Sequence, residues 1–159
     1  MEPPFHSAPI SRILVPADED PASIAAVELA AGLAVALDAE LLLLAVLSLP
    51  IVEAAYPSAL AIGMYDQEGD QEEAERTLSR RIERFSDVLP PAVRARWIRG
   101  RHPAGPAIMH ALEEVDADLV VVPMRRGSEL SHLLNDGTDR HVLHHSRVPV
   151  LVVPEARRA

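Results

Sequence analysis

Five short apolar runs, separated by segments of helical character, most constrain the fold of this 159-residue chain. Four of the runs, at 12–17, 39–49, 117–123 and 148–154, are nearly continuous, which is typical of strands buried on both faces. The fifth, at 92–100, alternates apolar with charged residues, as an edge strand does. Strands that alternate with helices predict a parallel sheet with right-handed crossovers. We therefore expect an α/β fold: a Rossmann-like, doubly wound three-layer sandwich around a five-stranded parallel sheet.

The helical segments between the runs carry their own signals. Asp20 is a predicted N-cap, and Pro21 suits the first helical position. The second helix is amphipathic, with Leu78, Ile82 and Phe85 predicted on its buried stripe and Glu/Arg pairs opposite. Helices are predicted at 21–38, 70–89, 103–116 and 136–146.

Composition excludes several classes of function. The formal net charge of −9 argues against nucleic-acid binding, which needs a basic surface. The absence of cysteine excludes disulfides and thiol chemistry, and the absence of lysine excludes a lysine nucleophile. The N-terminus lacks the signal-peptide pattern, and no apolar run reaches the length of a bilayer span. We expect a cytoplasmic protein without membrane contact, consisting of an extended or disordered arm (1–11), one domain (12–154) and a short tail (155–159).

Two strand ends carry polar residues that suggest a ligand site. Ligands of open parallel sheets bind beyond the carboxyl ends of the strands, where the strand order reverses. Asp18 follows the first strand directly, and the fourth strand leads into "PMRRGSELSHLLNDGT", which contains two glycines and adjacent arginines. The two ends would line one crevice if the first and fourth strands are neighbours.

Four stretches together resemble the universal stress protein family: "RILVPADEDPAS", "AELLLLAVL", "DADLVVVP" and "HVLHHSRVPVLVVP". The similarity covers the chain from Arg12 to Pro154. It implies a strand order of 3-2-1-4-5, which places the first and fourth strands at the switch point. It also implies a homodimer, often formed through the last strand, and a division of members into ATP binders and members without nucleotide.

The ATP-binding members resemble one another in a loop that reads Gly, two residues, Gly, nine residues, Gly-Ser/Thr. Glycines let backbone N–H groups approach phosphate oxygens, and the last pair opens a helix whose N-terminus attracts anions. Gly127 and Gly137-Thr138 match the second half of this pattern. Met124 stands in the place of the first glycine, so the motif is incomplete.

A second alignment, shifted by one residue, is also open. It places Pro123, Arg126 and Asp136 at the three glycine positions. Proline offers no N–H, and an aspartate would repel phosphate. In this register the loop is a turn followed by a helix cap, and it favours a protein without bound nucleotide.

These alternatives give two functional interpretations. The leading one is a cytoplasmic, non-catalytic regulatory dimer with a degenerate nucleotide-binding loop and no certain cofactor. The alternative is an ATP- or AMP-binding protein, with or without slow ATP hydrolysis. In the alternative, the resemblance implies that Asp18 accepts hydrogen bonds from the ribose and that Ala17 and residues 45–46 flank the adenine. The predicted cofactor-binding residues are Ala17, Asp18, Val46, Met124, Arg125, Arg126, Gly127, Gly137 and Thr138.

The last strand is a predicted interface, because an apolar strand with no successor is an edge that needs a partner. Antiparallel pairing with the same strand of a second copy fits a two-fold dimer. Coverage of the edge by the tail 155–159 is the other option. The predicted dimer residues are Val148, Val150, Leu151, Val152 and Val153. A further partner surface is predicted at 50–66, a long apolar connection.

Three histidines, His141, His144 and His145, occur at i, i+3 and i+4 in the last helix. This spacing places two imidazoles on one helix face, and zinc would need another ligand such as His132 or Asp139. No HExxH motif or cysteine accompanies them, so we predict neither a metal site nor a catalytic residue.

Overall fold

The computed structural model describes residues 8–47, 67–101, 103–124 and 138–155. Its strands are β1 (Arg12–Pro16), β2 (Glu40–Leu47), β3 (Arg94–Arg101), β4 (Leu119–Met124) and β5 (Val150–Pro154). Its helices are α1 (Pro21–Leu37), α2 (Gln67–Ser86), α3 (Ala104–Glu114) and α4 (Thr138–His145). Each of these helices is too short or too polar to span a membrane. The predicted alternation of strands and helices is confirmed, and the predicted partner surface at 50–66 lies outside the described residues.

The five strands form one parallel sheet in the order β3-β2-β1-β4-β5, as predicted. β1 is central, and Ile13, Leu14 and Val15 have no solvent exposure. β3 lies at one edge, which explains the alternation of apolar and charged residues in its sequence. β5 lies at the other edge.

Alternate residues of the central strands belong to two separate hydrophobic cores, one on each face of the sheet. Ile13 and Val15 of β1 pack on one face of the sheet with the alanines of α1 and with Phe85 of α2. Leu14 packs on the other face with Ile108 of α3 and with α4. Because both faces are covered, the predicted three-layer sandwich is confirmed.

α1 begins where the sequence predicts. The Asp20 side chain accepts a hydrogen bond from the Ser23 N–H at 3.1 Å, and Pro21 is the first helical residue. This is an N-cap followed by proline at a position where no N–H is needed. The helix ends at Leu37, and its C-cap residue Asp38 adopts the left-handed conformation with φ of 53°. The N-cap of Asp20 and the proline that follows it fix the turn from β1 into α1.

The predicted buried stripe of α2 is wrong at one position. Leu78 and Phe85 are buried, but Ile82 is 41% exposed. Arg81 takes the place of Ile82 on the buried face, with 9% exposure. The buried face continues from Leu78 by three and then four residues, and this spacing points position 81 rather than 82 at the sheet.

Close packing between α3 and α4 depends on Gly105. A Cβ at this position would lie 3.0 Å from both Cβ and Cγ of His141, and rotation of the side chain cannot move the Cβ away. Gly105→Ala is therefore expected to lower the free energy of unfolding by about 1–3 kcal/mol in urea denaturation. The matched control is Gly32→Ala in α1, where a Cβ meets nothing within 4 Å. That substitution is expected to stabilise by about 0.5–1 kcal/mol, because alanine loses less conformational freedom than glycine in a helix. Equal gains from both substitutions would contradict the packing argument.

Candidate functional site

The carboxyl ends of β1 and β4 lie at the switch point of the sheet, where a ligand crevice is expected. β1 pairs with β2 along its whole length, from Arg12 to Pro16. Among the described residues its pairing with β4 is confined to Ile13–Leu119 and Leu14–Val120, near the start of both strands. The two strands are neighbours on either side of the reversal in strand order. Among the described residues, the carboxyl halves of β1 and β4 are therefore not paired with each other. They border the place where such sheets bind ligands.

The first wall of the crevice is the turn that follows β1. Ala17 is buried, and its N–H donates to the Leu44 carbonyl at 2.9 Å. The Asp18 N–H donates to the Ser23 hydroxyl at 2.7 Å, and that hydroxyl donates to the Pro16 carbonyl at 3.1 Å. Because Ser23 is buried, these bonds fix the backbone of the turn and place Asp18 at the strand end.

The Asp18 carboxylate is held by a hydrogen bond and an ion pair on the same oxygen. Oδ1 accepts the Glu19 N–H at 2.8 Å and lies 3.2 Å from Nη2 of Arg81. The side chain of Asp18 is nevertheless 52% exposed. The result is an oriented negative charge that also faces solvent at the crevice.

Arg81 is the residue of this site that the sequence analysis missed. Its Nη1 donates to the Val46 carbonyl at 3.1 Å, so one guanidinium joins the ends of β1 and β2. Val46 itself is half-buried against the second core. The signal that could have found Arg81 is its place three residues after Leu78 and four before Phe85, on the buried face of α2.

A second ion pair lies beside the first and is exposed. Nε of Arg80 donates to Oε1 of Glu19 at 2.8 Å, and the Arg80 side chain is 61% exposed. The hydrogen bond from Arg80 lowers the pKa of the Glu19 carboxyl below its ordinary value, with partial burial opposing the shift. Two consecutive arginines of α2 thus meet two consecutive carboxylates after β1.

The second wall of the crevice begins at the end of β4. Met124 is half-buried, pairs with Pro154 of β5, and accepts the Glu155 N–H on its carbonyl at 3.1 Å. Thr138 is the first residue of α4. Between them, the predicted phosphate-binding residues Arg125, Arg126, Gly127 and Gly137 lie outside the described residues. The structure therefore brings Ala17, Asp18, Val46 and Met124 to one edge of the sheet.

The histidines of α4 form a stacked pair on one face. The rings of His141 and His145 stack with centroids 4.4 Å apart, and Nδ1 of His145 lies 2.8 Å from the His141 carbonyl oxygen. His132 and the Asp139 side chain lie outside the described residues. Within the part of the chain that the structure describes, no group of three or more histidine, aspartate or glutamate residues could hold a metal ion.

Comparisons with known proteins agree with the fold. A model of the universal stress protein family matches residues 9–154. The universal stress protein UspA from Lactobacillus plantarum is 23% identical over 92% of this chain and 99% of that one, with a TM-score of 0.69. A universal stress protein in complex with cAMP is 19% identical, with coverages of 94% and 100% and a TM-score of 0.64.

A third solved structure is the universal stress protein from Archaeoglobus fulgidus in complex with dAMP. It is 19% identical over 92% of this chain and 99% of that one, with a TM-score of 0.57. No curated protein matches the chain. At these identities the likeness to the solved structures carries the fold alone.

Proposed function

The chain belongs to the universal stress protein family, and from that membership and the crevice between β1 and β4 we propose that it is a non-catalytic regulatory protein that binds an adenine nucleoside monophosphate. The proposal includes a cytoplasmic localisation. The observation that carries the proposal is the Asp18 carboxylate, oriented at the switch point and half open to solvent.

Asp18 has the properties that a sugar-binding acceptor needs. Its carboxylate is held in one orientation by Arg81 and by the Glu19 N–H. A fixed anionic acceptor makes stronger hydrogen bonds to hydroxyl donors than a neutral one. Half of the side chain faces solvent, and in this proposal a ribose hydroxyl donates to it there.

The altered loop after β4 favours a ligand with a single phosphate group. Met124 stands in the place of the first glycine of the family pattern, so that part of the cradle is altered. The remaining Gly127 and Gly137-Thr138 make up the second half of the cradle, with adjacent arginines supplying charge. Half a cradle suits one phosphate better than three. The cAMP and dAMP of the two solved relatives each carry an adenine and one phosphate group.

The positions of the described charged groups support regulation rather than catalysis. Phosphoryl transfer needs a base that orients the attacking water at the phosphate. Asp18 follows β1, whereas the predicted phosphate loop follows β4 in sequence, and Oδ1 of Asp18 already contacts Arg81 and the Glu19 N–H. In this proposal Asp18 binds the sugar. Slow ATP hydrolysis, the alternative activity, would appear as ADP release on prolonged incubation with ATP and Mg²⁺.

The proposal includes a two-fold homodimer through β5. β5 is the last strand of the sheet, and Val150, Leu151 and Val152 are half-buried in the single chain. An apolar edge of this kind is protected by pairing. The partner in this interface is a second copy of the chain.

Calorimetric titration with AMP, cAMP and ATP, with and without Mg²⁺, tests the nucleotide proposal. AMP is expected to bind with a dissociation constant in the micromolar range, about −8 kcal/mol. ATP is expected to bind more weakly, because the cradle is incomplete. Gly137→Glu, which puts a carboxylate at the predicted phosphate position, should remove AMP binding. No heat of binding at millimolar AMP would contradict the proposal and support the interpretation of the loop as a remnant.

A further inference from the structure

The burial of Arg81 between a helix and a sheet costs free energy. It lies in line with Leu78 and Phe85 on the buried face of α2 and is 9% exposed. Its Nε is buried and has no hydrogen-bond partner among the described residues. A guanidinium removed from water with one donor unsatisfied costs free energy that an apolar side chain would not.

The salt bridge to Asp18 does not offset this cost as a stabilising contact. The Asp18 side chain is 52% exposed, so solvent already stabilises its charge. Pairs of this kind are often matched or exceeded in stability by apolar residues of similar volume. A buried, partly unsatisfied charged group beside a ligand crevice is therefore a candidate for function rather than for stability.

The contacts of Arg81 show what that function requires. Nη2 lies 3.2 Å from Oδ1 of Asp18, and Nη1 donates to the Val46 carbonyl at 3.1 Å. The guanidinium is planar, so the hydrogen bond that anchors one nitrogen at the end of β2 also fixes the direction of the other, which lies beside the carboxylate. The Glu19 N–H donates to the same oxygen. The carboxylate of Asp18 is thus oriented by two contacts on Oδ1.

We propose that Arg81 is a positioning residue for the bound nucleotide: it holds the Asp18 carboxylate against the sugar and sets a preference for ligands that carry free ribose hydroxyls. The inference rests on the proposed binding of a nucleoside monophosphate. It goes further by naming the residue that orients the sugar-binding carboxylate and the ligand preference that follows. A hydroxyl donated to a charged, oriented acceptor is worth about a tenfold gain in affinity or more.

The adjacent ion pair provides a matched control. Arg80 and Glu19 are each one residue away in sequence from Arg81 and Asp18, and they have the same chemistry. The Arg80 side chain is 61% exposed and pairs at the surface. Arg80→Met therefore removes an arginine–carboxylate pair from the same helix and turn without loosening the Asp18 carboxylate.

The test measures dissociation constants for AMP and for 2′,3′-dideoxy-AMP by calorimetry, together with Tm, in the wild type and in Arg81→Met and Arg80→Met. The wild type is expected to prefer AMP by about tenfold. Arg81→Met should weaken AMP binding by about tenfold, leave dideoxy-AMP unchanged, and keep or raise Tm. Arg80→Met should leave both dissociation constants unchanged.

Other outcomes distinguish a failure of the positioning role from a failure of the proposed function. If Arg81→Met weakens both ligands equally, or lowers Tm without changing the ratio, Arg81 is a structural residue and the positioning role is wrong. If the wild type binds neither ligand, the proposed function fails and the positioning role fails with it. Arg81→Lys covers the case in which Arg81→Met does not fold. One ammonium group cannot reach both acceptors with the fixed geometry of a guanidinium, so an intermediate loss of preference is expected, and an unchanged preference would overturn the role.

Discussion

Asp18→Asn is expected to weaken AMP binding by about tenfold or more and to lower the free energy of unfolding by about 1–2 kcal/mol. Asparagine keeps the shape of the side chain but removes its charge. The ribose then loses an anionic acceptor, and the buried guanidinium of Arg81 loses its counter-charge. The stability cost lies at the low end for a broken ion pair, because Asp18 is 52% exposed and solvent screens the interaction. Calorimetry and urea denaturation measure the two effects.

The double variant separates the two consequences. Arg81→Met in the Asp18→Asn background removes the orphaned guanidinium, so stability is expected to return towards that of the wild type while AMP binding stays weak. The coupling in stability between the two positions is the sign of a direct interaction. Glu19→Gln, which alters the exposed neighbouring carboxylate, should change neither quantity appreciably. Strictly additive effects of the two substitutions on the free energy of unfolding would contradict the pairing.

Most of the fold could be predicted because local and long-range signals agree. The continuous apolar runs of β1, β2 and β4 indicate strands buried on both faces, and both faces are in fact covered by helices. At the start of α1, Asp20 and Pro21 are local signals that act within one turn, and both were predicted correctly. Local chemistry of this kind needs no knowledge of the rest of the chain.

Arg81 could not be predicted from composition because a charged residue in a Glu- and Arg-rich helix is most simply assigned to a solvated face. Its burial depends on how α2 lies across the sheet, which is a tertiary property. Ile82 was placed on the buried stripe instead, and the structure exposes it. The preference of isoleucine for burial was outweighed by the spacing of Leu78 and Phe85, which fixes the face that meets the sheet.

The candidate site was predictable to the extent that it depends on strand ends. Ala17 and Asp18 follow β1, Val46 lies near the end of β2, and Met124 ends β4, and the rule for parallel sheets brings such positions to one edge. The contacts made there by α2 depend on side chains that are remote in sequence. The register of the glycine loop stays a prediction, because its residues from 125 to 137 lie outside the described part of the chain.

Val152→Pro is expected to convert the proposed dimer into monomers with an intact fold. The Pro149 carbonyl accepts the Val120 N–H, and the Glu155 N–H donates to the Met124 carbonyl. The backbone N–H and carbonyl groups of the odd-numbered residues of β5 therefore point towards β4. Along a strand the hydrogen-bonding groups alternate in direction, so the Val152 N–H points to the free edge. Proline is tolerated at such a position within one chain, but it removes a donor from each copy of a two-fold pair and places a ring in the interface.

Loss of two intermolecular hydrogen bonds corresponds to a rise of about a hundredfold in the dimer dissociation constant. Light scattering across a dilution series measures this constant, and circular dichroism checks that the monomer keeps its fold. Val152→Ala is the matched control: it shortens the same side chain, which packs on the second core, but keeps the N–H. The alanine variant should therefore remain dimeric at concentrations where the proline variant is monomeric. Two results would show that the edge of β5 is not the interface: a monomeric wild-type protein, or a proline variant with an unchanged dissociation constant. Removal of an N–H from a paired edge must weaken the dimer.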